Sequence, residues 1–500
     1  LNYQSTRSRT GKATSAQAIS QGLCGDGGLF VPEQFPAVGE EELALMENES
    51  YRQRAARILS RYLTDFTVEE VRECVELAYR PDRFPEGPAP VFQLDQNVSY
   101  LELWHGPTCA FKDMALQILP LLLTRSLKKI RSDREALILV ATSGDTGKAA
   151  LEGFQDVEGT RILVFYPKDG VSPMQERQMR TQSGGNVFVC AVEGNFDDTQ
   201  TGVKRIFGDA EMRELLAKKG MMFSSANSIN WGRLLPQIVY YFSAYCDLCA
   251  GHSVQRGAPV NFIVPTGNFG DILAAYYAKK MGLPVHKLIC ASNANNVLTE
   301  FLTMGKYNRN REFYTTISPS MDILVSSNLE RLLYDLTDQN DEKVADWMRR
   351  LNETGEYQVD EAVLSKIREL FYAGFCSDDE TREEIKSLFA NQNYLCDPHT
   401  GVAARVYEKY LRDTGDSKTP AVIVSTASPY KFAPEVLRAL EDHAPAGDEF
   451  QAVSRLSQLT ATRVPAPIAA LESKTVRFSS SCKKEEMGAA VLKILDSESV

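Results

Sequence analysis

No run in the 500-residue chain is long and apolar enough to span a membrane. The nearest, "ALQILPLLLT" from Ala115, has about half of the roughly 20 residues required and contains a proline, so it reads as core. The first residues, "LNYQSTRSRTGKATSAQ", lack the apolar block and small-residue cleavage site of a secretory leader, and the expectation is a soluble, cytoplasmic protein. Paired cysteine spacings are missing too. Ten cysteines, among them Cys24, Cys74, Cys109, Cys190, Cys290 and Cys482, are scattered without the pattern of a disulfide scaffold or a zinc site. The lone CxxC, Cys246 and Cys249, lies in the apolar helical pattern "PQIVYYFSAYCDLCA", where buried helix positions explain it better than metal or redox work, and no metal is expected. Basic runs are absent and the net charge is −11 with a pI near 5.3, which argues against nucleic acid or an anionic membrane as partner. Neither internal repeats nor low-complexity tracts occur, and nothing points to an obligate protein partner.

What is present is 43% hydrophobic residue content in a chain too long for one core, so two or three domains are expected. From about residue 40 to 80 the pattern is helical, and Thr67 with Glu70 forms a capping box. The proline-rich "PDRFPEGPAP" follows as a linker, which bounds a small, mainly helical N-terminal domain at 1–90. Beyond it, "ALILVA" from Ala136, "RILVFYP" from Arg161, "NVFVCAV" from Asn186, "VNFIVP" from Val260, "HKLICA" from His286 and "AVIVST" from Ala421 alternate with helical patterns. Short Val- and Ile-rich runs in that rhythm predict βαβ units: an α/β catalytic region at 96–450 with a mainly parallel sheet and helices on both faces. Residues from about 328 to 395 read as a helical insertion, with Ser377 and Glu380 in a capping box, and 451–500 as a mixed C-terminal segment.

Ligands in such sheets sit at the C-terminal strand ends, so the loops there carry the chemistry. In "PTGNFGD", Gly267, Asn268, Phe269 and Gly270 stand between a strand and a helix. Small residues and a helix start make either a phosphate cradle or a plain tight turn, but not a dinucleotide fingerprint, because GxGxxG is absent. In "TSGDTGKAA", Ser143 and Thr146 repeat the design for a carboxylate or phosphate, whereas Asp145 would oppose an anion unless it accepts hydrogen bonds from the loop or is protonated. A nucleotide P-loop is excluded there, because Thr142 stands where the first glycine should and Ala149 where Ser or Thr should hold magnesium. In "SSANSINWGRLLPQ", Asn227, Ser228, Asn230 and Arg233 suit an anion, or equally cap and turn the chain. "VSTASPYKF" adds Thr426 and Ser428. Finally, "HGPTCAFKDMALQ" places Lys112 just before a helical pattern, either as a solvated amine or as one held where its pKa falls. Amine, anion cradle and hydroxyl together are what a Schiff-base lysine with pyridoxal phosphate requires.

These segments, with "YQSTR", "GLCGDGGLFVPEQFP" and "DPHTGVA" at 397–403, resemble the threonine synthase family in its longer form with an N-terminal helical domain, from about Tyr3 to Glu435. The resemblance implies the tryptophan synthase β-like fold (fold type II), with pyridoxal 5'-phosphate between two α/β lobes. Lys112 matches the catalytic lysine that joins the cofactor aldehyde, Gly267, Asn268, Phe269 and Gly270 the cofactor-phosphate loop, and Thr426 the hydroxyl near the pyridine nitrogen. By analogy Ser143, Asp145 and Thr146 hold the amino-acid end of the substrate, and Asn227, Ser228, Asn230 and Arg233 its phosphate. One position departs: Ser428 stands where the family usually has histidine, and it receives no role. The implied reaction converts O-phospho-L-homoserine and water into L-threonine and phosphate. A phospho-lyase or a serine/threonine dehydratase on the same scaffold is the alternative reaction, and a non-catalytic cofactor-binding protein the alternative class.

Overall fold

The computed structural model describes residues 1–9, 11–441, 443 and 447–495. The N-terminal domain pairs the strands Tyr3–Ser5 and Phe30–Pro32 antiparallel and adds the helices Ser15–Gln21, Glu40–Met46, Tyr51–Tyr62 and Val68–Ala78. The expected capping box is there: the Thr67 hydroxyl accepts from the Glu70 N–H at 3.2 Å and Glu70 returns the bond to the Thr67 N–H at 2.7 Å. The proline-rich linker is not loose. Phe84 within it is buried against Tyr79, with ring centroids 5.8 Å apart.

Two sheets organise the rest. The smaller has five parallel strands in the spatial order Ser481–Lys483, Val187–Glu193, Thr160–Pro167, Glu135–Ala141, Met221–Ser224. The larger runs Phe371–Phe375, Val285–Ser292, Val260–Pro265, Ala421–Ser425, Val98–Glu102, Val91–Gln93, parallel except for its last pair. Leu137, Ile138, Leu139 and Val140 are buried to the last atom, as are Phe262, Ile263 and Val264, which is why these strands read as continuous apolar runs rather than alternating ones. The region 328–395 departs from the helical insertion expected of it. It carries four helices, but also the strand Phe371–Phe375, which follows the helix Glu361–Leu370 without a turn and closes one edge of the larger sheet. Its aromatic and glycine content, "FYAGF", masked that strand among charged helices. The tail likewise joins a lobe, since Ser481–Lys483 edges the smaller sheet and Met487 packs on the helix Phe196–Gly208 so closely that a Cβ on Gly202 would meet its sulfur at 2.2 Å.

The helix Trp231–Ala250 packs on Tyr51–Tyr62 and on the helix Gly270–Met281, and its residues are buried on nearly every side, which explains its lack of a polar stripe. Cys246 and Cys249 sit in it, and all ten cysteines are free and buried. No helix among the described residues is long and apolar enough to cross a membrane.

Candidate active site

The strand Val98–Glu102 ends in the loop that carries Lys112. Two backbone bonds zip this loop to the segment leaving Ala421–Ser425: Phe111 N–H to the Thr426 carbonyl at 2.8 Å and Ser428 N–H to the Cys109 carbonyl at 3.1 Å. Inside the loop the Asp113 carboxylate takes the Thr108 N–H at 2.8 Å and the Thr108 hydroxyl at 2.7 Å, and Gly106 is needed because a Cβ there would lie 2.6 Å from that carboxylate. Burial pushes Asp113 up to about 7 against those two bonds. Lys112 immediately precedes the short helix Asp113–Leu116. Its Nζ lies 3.5 Å from the Ser320 hydroxyl and 4.9 Å from the Phe111 ring centroid. Burial lowers the amine from 10.5 to about 8; Asp145 and Asp271 oppose that shift, while Lys431 and Arg233 reinforce it.

The glycine loop after Val260–Pro265 opens the helix Gly270–Met281. Phe269 is buried in the left-handed region at φ 66°, which turns the backbone so that Gly267, Asn268, Phe269 and Gly270 present N–H groups with no acceptor among the described residues. A Cβ on Gly267 would come within 2.6 Å of the Ser320 carbonyl, so this loop and the Ser320 loop are in backbone contact. Asn328 N–H to the Asn268 carbonyl at 3.0 Å and the Ser326 hydroxyl to the Gly267 carbonyl at 2.7 Å fasten it further. Asp271, in the first helical turn, accepts from Tyr240 at 2.5 Å and Tyr241 at 2.6 Å while its second oxygen has no partner, and burial raises it to about 6.

In the loop after Glu135–Ala141, the N–H groups of Gly144 and Gly147 turn inward onto the Thr142 hydroxyl at 3.0 and 2.9 Å. Gly144 has φ 137°, and a Cβ there would strike Gln175. The hydroxyls of Ser143 and Thr146 are partly exposed and have no hydrogen-bond partner among the described residues. Asp145 is different from the ligand-holding residue expected of it. It is ion-paired at 2.5 Å with Lys431, both side chains buried, and also accepts from Gln175 at 3.2 Å. Burial alone would raise Asp145, but Lys431 and Lys112 outweigh it and hold the carboxyl well below the usual range. Lys431, which also donates to the Thr108 carbonyl at 3.0 Å, resolves the objection that a carboxylate there would repel an anion.

Arg233 occupies the first turn of Trp231–Ala250. It is 3% exposed, donates to the Ala226 carbonyl at 2.5 Å, leaves Nε without a partner and makes no ion pair with a carboxylate among the described residues; burial lowers it to about 10. A buried guanidinium in that state can take an anion. Asn227 and Ser228 lie partly exposed in the loop before it. Asn230 does not join them: its oxygen caps the helix through the Gly232 N–H at 2.8 Å, and its amide donates to the carbonyls of Ile19 at 3.0 Å and Ser225 at 2.9 Å. The expected substrate role for Asn230 is therefore corrected to a capping one, because every polar group of its side chain is consumed by protein. Thr426 is buried beside the Lys112 loop, and Ser428 caps the turn Pro429–Phe432 through the Tyr430 N–H at 3.3 Å.

The residues absent from the sequence reading are Ser320, Lys431 and the pair Asp397 and His399. Lys431 stood in the quoted "STASPYKF" and His399 in "DPHTGVA", but nothing local says that either points at the site.

Family models described as threonine synthase N terminus, pyridoxal-phosphate dependent enzyme, and threonine synthase, C-terminal match residues 2–79, 83–363 and 400–487. Human threonine synthase-like 1 is 41% identical over 85% of this chain, which spans 58% of that longer protein. A threonine synthase of Pseudomonas aeruginosa is 39% identical over 89% of this chain and 92% of its own. Crystal structures of a PLP-bound threonine synthase from Brucella melitensis and of the yeast threonine synthase each superpose with a TM-score of 0.87, at 36% and 33% identity, covering 99% of this chain and 100% and 98% of theirs. The chain belongs to the threonine synthase family of pyridoxal-phosphate-dependent enzymes.

Proposed function

We propose that this chain converts O-phospho-L-homoserine and water into L-threonine and phosphate, using pyridoxal 5'-phosphate. The observation that carries the reading is that one buried amine, Lys112, has two separate sets of open hydrogen-bond donors about it, each suited to an anion. One is the row of open N–H groups at Gly267 to Gly270, and the other is Arg233, buried and within electrostatic reach of the amine. A single phosphate-bearing cofactor accounts for one of them, and a phosphorylated substrate for the other.

The residues fit the cofactor. Gly267, Asn268, Phe269 and Gly270 would hold its phosphate, the Thr426 hydroxyl its ring nitrogen, and Lys112 its aldehyde carbon. When bound, the conjugated ring takes up negative charge that develops on the substrate's carbon chain. The protein's own part is binding and proton handling. Arg233, with Asn227 and Ser228, grips the substrate phosphate, and Ser143 with Thr146 orients its carboxylate. Lys112 takes the proton from Cα and returns it there, and an amine near 8 rather than 10.5 is a usable base close to neutral pH. Asp145 and Lys431 hold a fixed, neutralised charge pair beside that amine. The reaction balances as water added at Cβ and inorganic phosphate released.

Incubation with O-phospho-L-homoserine is expected to yield threonine and phosphate in equal amounts. Phosphate with 2-oxobutyrate in place of threonine would overturn the reading in favour of a phospho-lyase. We place the protein in threonine biosynthesis on the same grounds, and we propose a cytoplasmic location separately, which fractionation tests.

A further inference from the structure

Two buried groups stand in line behind Ser320. Asp397 caps the helix Pro398–Thr414 through the N–H groups of His399 at 2.9 Å and Thr400 at 3.2 Å, and its Oδ2 also lies 2.6 Å from Nδ1 of the His399 ring. The other ring nitrogen, Nε2, lies 3.1 Å from the backbone nitrogen of Ser320. A backbone N–H can only donate, so Nε2 must present its lone pair and Nδ1 must carry the proton it gives to Asp397. One tautomer satisfies both contacts.

Ser320 in turn touches both halves of the site. Its hydroxyl lies 3.5 Å from Lys112 Nζ, and its carbonyl is the atom a Cβ on Gly267 would strike. The loop around it has no regular structure beyond the turn Pro319–Met321, yet it is firmly tied. Asp322 accepts from the side chains of Asn293 at 2.8 Å, Asn295 at 3.0 Å and Thr316 at 2.8 Å, and from the Thr316 N–H at 3.0 Å. A long irregular segment with this much hydrogen bonding is a positioned functional loop rather than a spacer.

We propose that Ser320 is a catalytic residue whose hydroxyl accepts a hydrogen bond from the free amine of Lys112 and holds it towards the substrate, with His399 and Asp397 as positioning residues that fix Ser320. The inference rests on the reaction proposed above. A lysine side chain has four rotatable bonds, and an amine that must act as a base loses rate when it wanders. Burial sets the basicity of Lys112 first, and the charged groups facing it, Asp145, Lys431, Arg233 and Asp271, adjust it. Ser320 is the uncharged neighbour within hydrogen-bond reach. A distance of 3.5 Å is long, and contacts of this kind shorten when substrate closes the site.

The test uses the full chain carrying Ser320→Ala, Ser320→Thr, His399→Ala or His399→Gln. With cofactor, Ser320→Ala is expected to lower kcat by roughly 10- to 100-fold with KM within about twofold, and Ser320→Thr to restore most of it. His399→Ala is expected to lower kcat and to add nothing on top of Ser320→Ala. His399→Gln, whose amide oxygen can accept from the Ser320 N–H, is expected to recover. A second readout needs no turnover: the pH dependence of Lys112 trinitrophenylation in the cofactor-free chain, followed by peptide mass. Loss of an acceptor from the ammonium form is expected to move the midpoint down by roughly half a pH unit in Ser320→Ala. An unchanged kcat and midpoint would overturn the proposal, as would equal losses in the Ala and Thr variants accompanied by raised KM or lost cofactor. Should the unaltered chain release no threonine, the functional reading falls and the midpoint alone decides: a shift upholds the hold on Lys112, and no shift overturns it.

Discussion

Lys112 carries its proton below about pH 8, whereas a lysine in the unfolded chain keeps it to 10.5. Between those values the unfolded chain binds more protons, so this group makes the cofactor-free protein gain stability as pH rises through the window and leaves it least stable below it. Lys112→Met should therefore abolish threonine formation while raising stability at pH 7 by up to about 3 kcal/mol, at roughly 1.4 kcal/mol per pH unit. Urea unfolding at pH 7 and again above 10.5 checks it, since the advantage should vanish at the higher pH. Arg233→Ala should raise KM for the phosphorylated substrate by roughly 10- to 100-fold, the worth of a charge-assisted hydrogen bond or two. Inorganic phosphate should raise the Tm of the unaltered protein but not that of Arg233→Ala, and an unchanged KM would take Arg233 out of the site. Lys431→Met leaves Asp145 charged in the interior without its ion-pair partner, a loss of about 3–5 kcal/mol, and Asp145→Asn in the same chain should recover much of it. Residue identity alone did not separate these cases. Asn230 and Arg233 looked equally suited to an anion and Asp145 opposed to one, and only their neighbours show that Asn230 is spent on capping, Arg233 is left open and Asp145 is neutralised.

At the level of elements, the site is a set of turns that follow strands. Their positions were legible because each is local: a short Val- and Ile-rich run, a glycine, and a helical pattern. The same locality hid the Ser320 loop, which has no periodicity and meets His399 across 79 residues of sequence. It also hid Phe371–Phe375, whose pairing with Val285–Ser292 is settled by the partner strand rather than by its own composition. The contact between the Gly267 turn and the Ser320 loop gives a test at this scale. Gly267→Ala places a methyl 2.6 Å from the Ser320 carbonyl, so the two loops must part. Cofactor retained after gel filtration, read by its visible absorbance, should fall severalfold while the far-UV spectrum is unchanged.

Across the whole molecule, the N-terminal domain is part of the site's foundation. Arg331, wholly buried, donates to the Phe30 carbonyl at 3.0 Å, to the Ile229 carbonyl at 2.6 Å and to the Asn328 side chain, so one guanidinium ties the first domain, the Arg233 loop and the segment behind the glycine turn. Arg7 with Glu330 at 2.8 Å and Thr6 with Glu330 at 2.5 Å add a second tie. Arg331→Met should lower stability by several kcal/mol, because each buried acceptor left open costs about 1–3 kcal/mol. It should also raise KM more than it lowers kcat; a change in Tm with untouched KM would mean that the domains are joined without bearing on the site. By itself the sequence determined the Val- and Ile-rich strands of the two sheets, the reduced and unpaired character expected of its cysteines, and the lysine and glycine turns. Those follow from periodicity, turn chemistry and composition, which are properties of neighbours along the chain. The tertiary structure alone decided which polar groups are consumed by the protein and which stay open to a ligand, and how far each buried charge is displaced from its ordinary pKa. Hydrogen-bond partners and electric fields are supplied by residues that meet only when the chain has folded.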